Sequence, residues 1–207
     1  MDNAHIIWAF QWLLYCFIHS FLANHYIKIH GSRLLNISSQ GYRIIYNVIA
    51  FVHLAILIWF HLSLKSEILF AGNTFSTAIA ITMVGLGLII MFFCILKYFK
   101  QLSGAFQALS SPKLYTKGLH GLVRHPLYLG TFLFLLGALL YWPLMKNVVA
   151  VTIIIGYTLL GILLEEKKLR DEFGEAYTTY SEKVPMIIPW LKSFQKKKTH
   201  STTGSVP

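Results

Sequence analysis

The chain has 207 residues, of which 56% are hydrophobic and only 13% charged, with a formal net charge of +10. A soluble domain carries roughly 25% charged residues, and a soluble bundle would need polar faces on its helices. The apolar residues here come in blocks without such faces, so a water-soluble globule is excluded.

A helix crosses a hydrocarbon core with about 20 residues at 1.5 Å rise each. Runs near 6–23, 44–64, 76–96, 127–142 and 147–164 meet or approach that length. They predict an all-α integral membrane protein with about five transmembrane helices. The first run has only Asp2 as a charge before it and no small-residue cleavage site after it, so it reads as a retained span and not a signal peptide. Gly85-Leu-Gly87 falls in the middle of the third run with no strand before it, which makes it a helix-packing feature and not a nucleotide loop. The last two runs are short and are joined by 141–147. Pro143 breaks a helix and Asn147 suits a turn or cap, so the two form a hairpin.

Cys16 and Cys94 lie inside apolar runs and form no CxxC pair, which points to packing and not to a disulfide or zinc site. His25 and His30 are too weak a pair to suggest a metal centre, so no metal is expected. Paired intramembrane charges and broken helices repeated in two halves, the marks of a transporter, are missing from the pattern.

Orientation follows from the basic residues. Connection 24–43 carries Lys28, Arg33 and Arg43. Connection 97–126 carries Lys97, Lys100, Lys113, Lys117 and Arg124, and eight more follow residue 164, so that all but Lys65 and Lys146 of the 18 lie on one side. The positive-inside rule then places the N-terminus outside and the C-terminus in the cytoplasm. The charge is thus a topology signal, and nucleic acid is not an expected partner. Residues 1–190 read as one membrane-embedded domain, and 191–207, with Lys196-Lys-Lys198, as a basic disordered tail able to touch anionic lipid.

Chemistry concentrates on the cytoplasmic side. Gly121-Leu-Val-Arg124-His125-Pro126-Leu-Tyr128-Leu-Gly130 runs straight into the fourth span, with Pro126 well placed as its first helical residue. A helix start favours an anionic group, and Arg124 can bind a carboxylate bidentately. Simple anchoring at the interface is the other role open to Arg124 and His125. The hairpin returns the chain to the same depth at Glu165-Glu166, where the helix dipole opposes acidic residues. Continuation of the helix with a Glu166–Arg170 pair at i,i+4 would account for Glu166 better than for Glu165. Beyond them Leu169, Phe173, Tyr177, Tyr180 and Val184 recur at helical spacing before Pro185, predicting an amphipathic helix that anchors at the surface or folds over the site as a lid.

These residues carry a resemblance. Arg124-His-Pro-Leu-Tyr-Leu-Gly130, Glu165-Glu-Lys-Lys-Leu-Arg-Asp-Glu-Phe-Gly174, Tyr177-Thr-Thr-Tyr180 and Val184-Pro-Met-Ile-Ile-Pro189 resemble, in order and spacing, the C-terminal signature of the isoprenylcysteine carboxyl methyltransferase and phospholipid methyltransferase superfamily. His19-Ser-Phe-Leu-Ala23, Tyr42-Arg43-Ile-Ile-Tyr46 and Pro112-Lys-Leu-Tyr115 are similar to its bacterial branch, which includes methanethiol S-methyltransferases and NnrU-like proteins. The resemblance implies a methyltransferase using S-adenosylmethionine, held in a cytoplasm-facing pocket without a Rossmann domain, in a bacterial plasma (inner) membrane. By position in the motifs, it implies that His125, Tyr128 and Gly130 meet the cofactor and that Arg124 meets the methionine carboxylate or the substrate. Glu165, or alternatively Glu166, would hold the ribose hydroxyls or the methionine amine, and Tyr177 and Tyr180 would shield the sulfonium.

The acceptor, a small thiol or a lipophilic compound, would meet the cofactor at the bilayer edge. A thiol must lose its proton, a step open to His19 or His125; His19 can equally serve helix packing. The rival reading is a non-catalytic membrane protein of the NnrU-like type with a biogenesis or partner-binding role.

Overall fold

The computed structural model describes residues 3–102 and 113–189. The expected tail 191–207 lies outside the described residues. The elements in chain order are α1 (Asn3–Ala23), α2 (His25–Leu34), α3 (Ser39–Ser63), α4 (Thr74–Leu102), α5 (Leu119–Leu122), α6 (Pro126–Tyr141), α7 (Met145–Phe173) and α8 (Glu175–Lys183). No strand occurs among the described residues, and an isolated bridge pairs Ile68 with Leu144.

Among the described residues, four helices are long and apolar enough to cross a membrane: Ala4–Ala23, Ser39–Ser63, Thr74–Lys97 and Met145–Phe173. About five spans were expected; the fifth candidate, α6, is a shorter apolar helix, whose 16 residues extend roughly 24 Å at 1.5 Å per residue against a hydrocarbon core of about 30 Å. It packs along α4. A Cβ on Gly87 of α4 would stand 2.7 Å from the Gly130 carbonyl oxygen and 2.7 Å from the Phe134 nitrogen, and one on Gly137 would stand 2.9 Å from the Ala80 oxygen. The two backbones therefore touch, as small residues allow where no hydrophobic force drives helices together. On the other side α7 meets α1, which also meets α3. Trp8, Trp12, Leu57 and Ala150 form the buried core of that half. Phe10, Phe17, Phe51, Trp59, Phe92 and Leu164 are among many large apolar side chains left exposed, the surface a bilayer covers.

Three local features differ from the sequence expectation. The connection 24–43 contains a helix, α2, started by Asn24, whose side chain accepts a hydrogen bond from the Tyr26 amide. Asn147 lies inside α7 and is not its cap; its side chain donates to the Trp142 carbonyl at 2.6 Å and thereby braces the hairpin turn. The amphipathic segment is not a single helix. The spanning helix α7 continues to Phe173, Gly174 adopts φ +55°, and α8 starts in a new direction. A left-handed φ suits glycine alone at low cost.

At the end opposite the candidate site, Lys146 is buried, and its ammonium donates to the carbonyls of His61 and Leu64 at 2.8 and 2.7 Å. These are C-terminal carbonyls of α3 that have no partner within their own helix. The 65–69 connection joins the same turn, with the Leu69 amide donating to Pro143 and the Met145 amide to Glu67.

Candidate functional site

The site is assembled where α6 begins, α7 leaves the apolar layer and α8 folds back. Pro126 occupies the first turn of α6, preceded by Arg124 at a bend and by His125 at the cap position (φ −120°, ψ 66°). The Arg124 and His125 amides donate to the carbonyls of Pro185 and Met186 at 2.9 and 3.1 Å. The segment after α8 is thus sewn to the Arg-His-Pro motif by two backbone hydrogen bonds. It also follows that two amides available for an anion at this helix start are already used.

Glu166 is the centre of the side-chain network. It is 2% exposed, and one carboxylate oxygen, Oε1, accepts from His125 Nε2 at 2.8 Å and from the Tyr177 hydroxyl at 2.6 Å. Arg124 Nε lies 3.2 Å from the same oxygen but is not aligned to donate to it. The other oxygen, Oε2, receives Arg170 at 3.4 Å, one turn along α7. An ionised carboxylate only accepts, so Nε2 of His125 carries a proton. Burial first, and then the hydrogen bond to Glu166, push the Tyr177 hydroxyl above its usual range and keep it a donor.

Glu165 stands apart from this hub. Its side chain is 44% exposed, with Oε2 3.8 Å from His125 Nδ1. It also faces the hydroxyl of Tyr128, whose ring centroid is 5.7 Å from that of His125. The structure therefore brings Arg124, His125, Glu166 and Tyr177 into one buried cluster and sets Glu165 and Tyr128 beside it. Tyr180 is buried nearby and donates its hydroxyl to the His120 carbonyl at 2.6 Å. Gly130 faces α4, where a Cβ would meet the Gly87 oxygen and Met91 Cγ at 2.9 Å each. His19 belongs to a different cluster, on α1, with its ring parallel to Tyr15.

An open cleft of about 610 Å³ adjoins the hub, lined by Arg124, Arg170, Thr178, Ser181, Glu182 and the 184–188 segment. Two guanidinium groups suit a carboxylate, and a half-exposed carboxylate such as Glu165 suits an ammonium or hydroxyl donor. These donor types fit a zwitterionic amino-acid group joined to a ribose, the chemistry of S-adenosylmethionine. A second cavity of about 500 Å³ lies between α4 and α5, against Phe93, Cys94, Lys97 and His120. No group of three or more His, Cys, Asp or Glu placed to share a metal ion occurs among the described residues.

Sequence reasoning missed Tyr157. Its hydroxyl lies 2.9 Å from Ser20 Oγ across the α1–α7 contact. The signal was present as a tyrosine within an otherwise apolar run, but only the packing reveals its neighbours.

The profile of the family described as NnrU protein matches residues 7–194. Among curated proteins, Methanethiol S-methyltransferase 1 of Bradyrhizobium diazoefficiens is 40% identical over 82 residues, covering 40% of this chain and 28% of that protein. Methanethiol S-methyltransferase of Crocosphaera subtropica is 39% identical over 83 residues, 38% of this chain and 30% of that protein. The protein of the same name from Pseudomonas deceptionensis is 31% identical over 160 residues, 72% of this chain and 60% of that protein. The chain thus spans between 28% and 60% of the length of these relatives. No solved structure matches.

Proposed function

The chain belongs to the NnrU protein family, and from that premise we propose that it is a membrane-embedded methyltransferase using S-adenosylmethionine, with a small thiol or lipophilic compound as acceptor. The observation that carries this reading is the division of labour between adjacent carboxylates. Glu166 is consumed by holding His125, Tyr177 and Arg170, while Glu165, Tyr128 and the arginine-lined cleft remain beside it for a ligand. The relatives named methanethiol S-methyltransferase support the methyl-transfer class and a thiol acceptor.

S-adenosylmethionine supplies an electrophilic methyl group; the protein's share is to align two bound molecules and exclude water. Arg124 and Arg170 would hold the methionine carboxylate, and Glu165 would hold the amine or the ribose hydroxyls. Glu166 would fix the His125 ring, and His125 and Tyr128 would line the cofactor. Gly130, through its contact with α4, would keep the start of α6 in register. Tyr177 and Tyr180 would close the site from α8, their hydroxyls already engaged inside the protein. The site would face the cytoplasm, at the edge of a bacterial plasma membrane.

A second reading has its own support. The partners of Glu166 are all protein groups, so the network can clamp α6, α7 and α8 together without a ligand, as a non-catalytic protein of biogenesis or partner binding would need. Titration of S-adenosylhomocysteine into detergent-purified protein by calorimetry separates the two. We expect saturable binding that disappears in Glu165→Ala and His125→Ala. Absence of binding to a sample that melts cooperatively would sink the methyltransferase reading and leave the clamp.

A further inference from the structure

The apolar run of α4 ends at Lys97, and the second cavity sits at that depth. Both α4 and α5 pack on α6, and the cavity of about 500 Å³ is the gap left between them, within the roughly 300–1,000 Å³ of ligand pockets. It shares no lining residue with the arginine-lined cleft. Phe93 and Leu96 form its α4 wall and are 57% and 61% exposed, with buried Cys94 beside them. Leu119 lines it from α5. At the end of a membrane span such open apolar side chains meet acyl chains and not water.

The polar end of the cavity is cationic. A Cβ on Gly118 would stand 3.8 Å from Lys97 Nζ, which places that ammonium at the rim where α5 begins. Nζ also lies 5.6 Å from the centroid of the Tyr115 ring, an aromatic of the kind that settles at headgroup level. No carboxylate lines the cavity among the described residues. His120, the other titratable group that reaches it beside Cys94, is uncharged at neutral pH, because burial, then Lys97 and His125, lower its pKa to about 4. Exposed Lys113 and Lys117 add positive charge to the same connection. A neutral apolar molecule gains nothing from this rim, and a soluble anion gains nothing from the apolar wall. An anionic amphiphile uses both.

We propose that the α4–α5 cavity is a binding site for one anionic phospholipid, with an acyl chain along Phe93 and Leu96 and the phosphate at Lys97. A phospholipid with a glycerol headgroup carries no amine or thiol, so this lipid is a resident of the fold and not a methyl acceptor, and the site stands independently of the methyltransferase reading. The lipid braces α5, whose His120 carbonyl receives the Tyr180 hydroxyl at 2.6 Å, and through that bond it steadies α8.

The test irradiates detergent-purified protein with a trace of phosphatidylglycerol bearing a diazirine on one acyl chain and maps the cross-links by peptide mass spectrometry. Unlabelled dioleoylphosphatidylglycerol, dioleoylphosphatidylcholine and glycerol phosphate are the competitors. Cross-links are expected within 93–97 and 118–120, displaced by phosphatidylglycerol at concentrations where the choline lipid and glycerol phosphate leave them in place. Lys97→Gln should raise the half-displacement concentration about fivefold, the worth of one lysine near an anionic lipid surface. Lys183→Gln, at an exposed position on α8, should match wild type. Cross-links spread evenly over the exposed helices overturn the proposal, because they mark the ordinary lipid shell. Equal displacement by the choline lipid overturns it as well, and displacement by glycerol phosphate replaces the lipid with a soluble phosphate. An unchanged value in Lys97→Gln, or an equal loss in Lys183→Gln, removes Lys97 from the site and the proposal with it. The competition arms use wild-type protein and do not depend on either variant folding.

Discussion

Successive residues of a helix point about 100° apart, which is why Glu165 and Glu166 meet such different surroundings. Glu166 turns inward and holds two other elements, the start of α6 through His125 and α8 through Tyr177, while Glu165 turns toward the opening. Their substitutions should differ accordingly. Glu166→Ala strands His125, Tyr177 and the buried side of Arg124, and breaking a buried ionic cluster from one partner costs about 3–5 kcal/mol. Its melting temperature in detergent should fall clearly, whereas Glu165→Ala should melt like wild type and lose only ligand binding.

His120 gives a pH signature. Burial, then Lys97 and His125, lower its pKa from 6.5 to about 4. A depressed value means that the folded state resists protonation. The stability associated with neutral His120 is therefore complete above pH 6.5 and lost as pH falls toward about 4. Melting temperature followed over that window should decline less steeply in His120→Gln than in wild type. Equal slopes would show that other groups carry the acid sensitivity.

At the level of elements, glycines with the same chemistry do opposite work. A Cβ on Gly87 or Gly137 collides with the partner backbone at 2.7 or 2.9 Å, while Gly156 and Gly161 on α7 have nothing within 4 Å. Gly87→Ala and Gly137→Ala should each destabilise by about 1–3 kcal/mol through forced separation of α4 and α6. Gly156→Ala and Gly161→Ala should be neutral or gain up to about 1 kcal/mol from helix propensity. Thermal unfolding of the four variants checks this, and equal effects would refute the close approach. The break at Gly174 is an element-scale device of another kind. It frees α8 from the axis of α7, so that Tyr177 reaches back eleven residues to Glu166.

For the whole molecule, the basic residues predict the orientation, and labelling from outside tests it. The exposed Glu67 lies in the connection between α3 and α4, and the exposed Lys183 lies at the end of α8. If the basic residues set the topology, a membrane-impermeant maleimide applied to intact cells should label Glu67→Cys and leave Lys183→Cys unlabelled until the cells are opened. The reverse pattern would place the candidate site on the outer face. Native Cys16 and Cys94 are buried and should contribute little background.

Composition and block length determined the membrane class, because an unpaired backbone cannot enter hydrocarbon and only long apolar helices solve that problem. The short sequence motifs marked Arg124, His125, Glu165, Glu166 and Tyr177 for attention, since charge at the edge of an apolar run demands a partner. Periodicity marked Tyr177 and Tyr180 as one face but could not register the turn at Gly174, which changes direction without interrupting the pattern. Tertiary structure alone decided that Glu166 and not Glu165 is the buried hub, that α6 rests on α4 through glycines, and that Tyr157 reaches Ser20 across the α1–α7 contact. Each of these depends on which face of a helix meets which neighbour. In spans that are apolar all round, the sequence carries no stripe to reveal that choice.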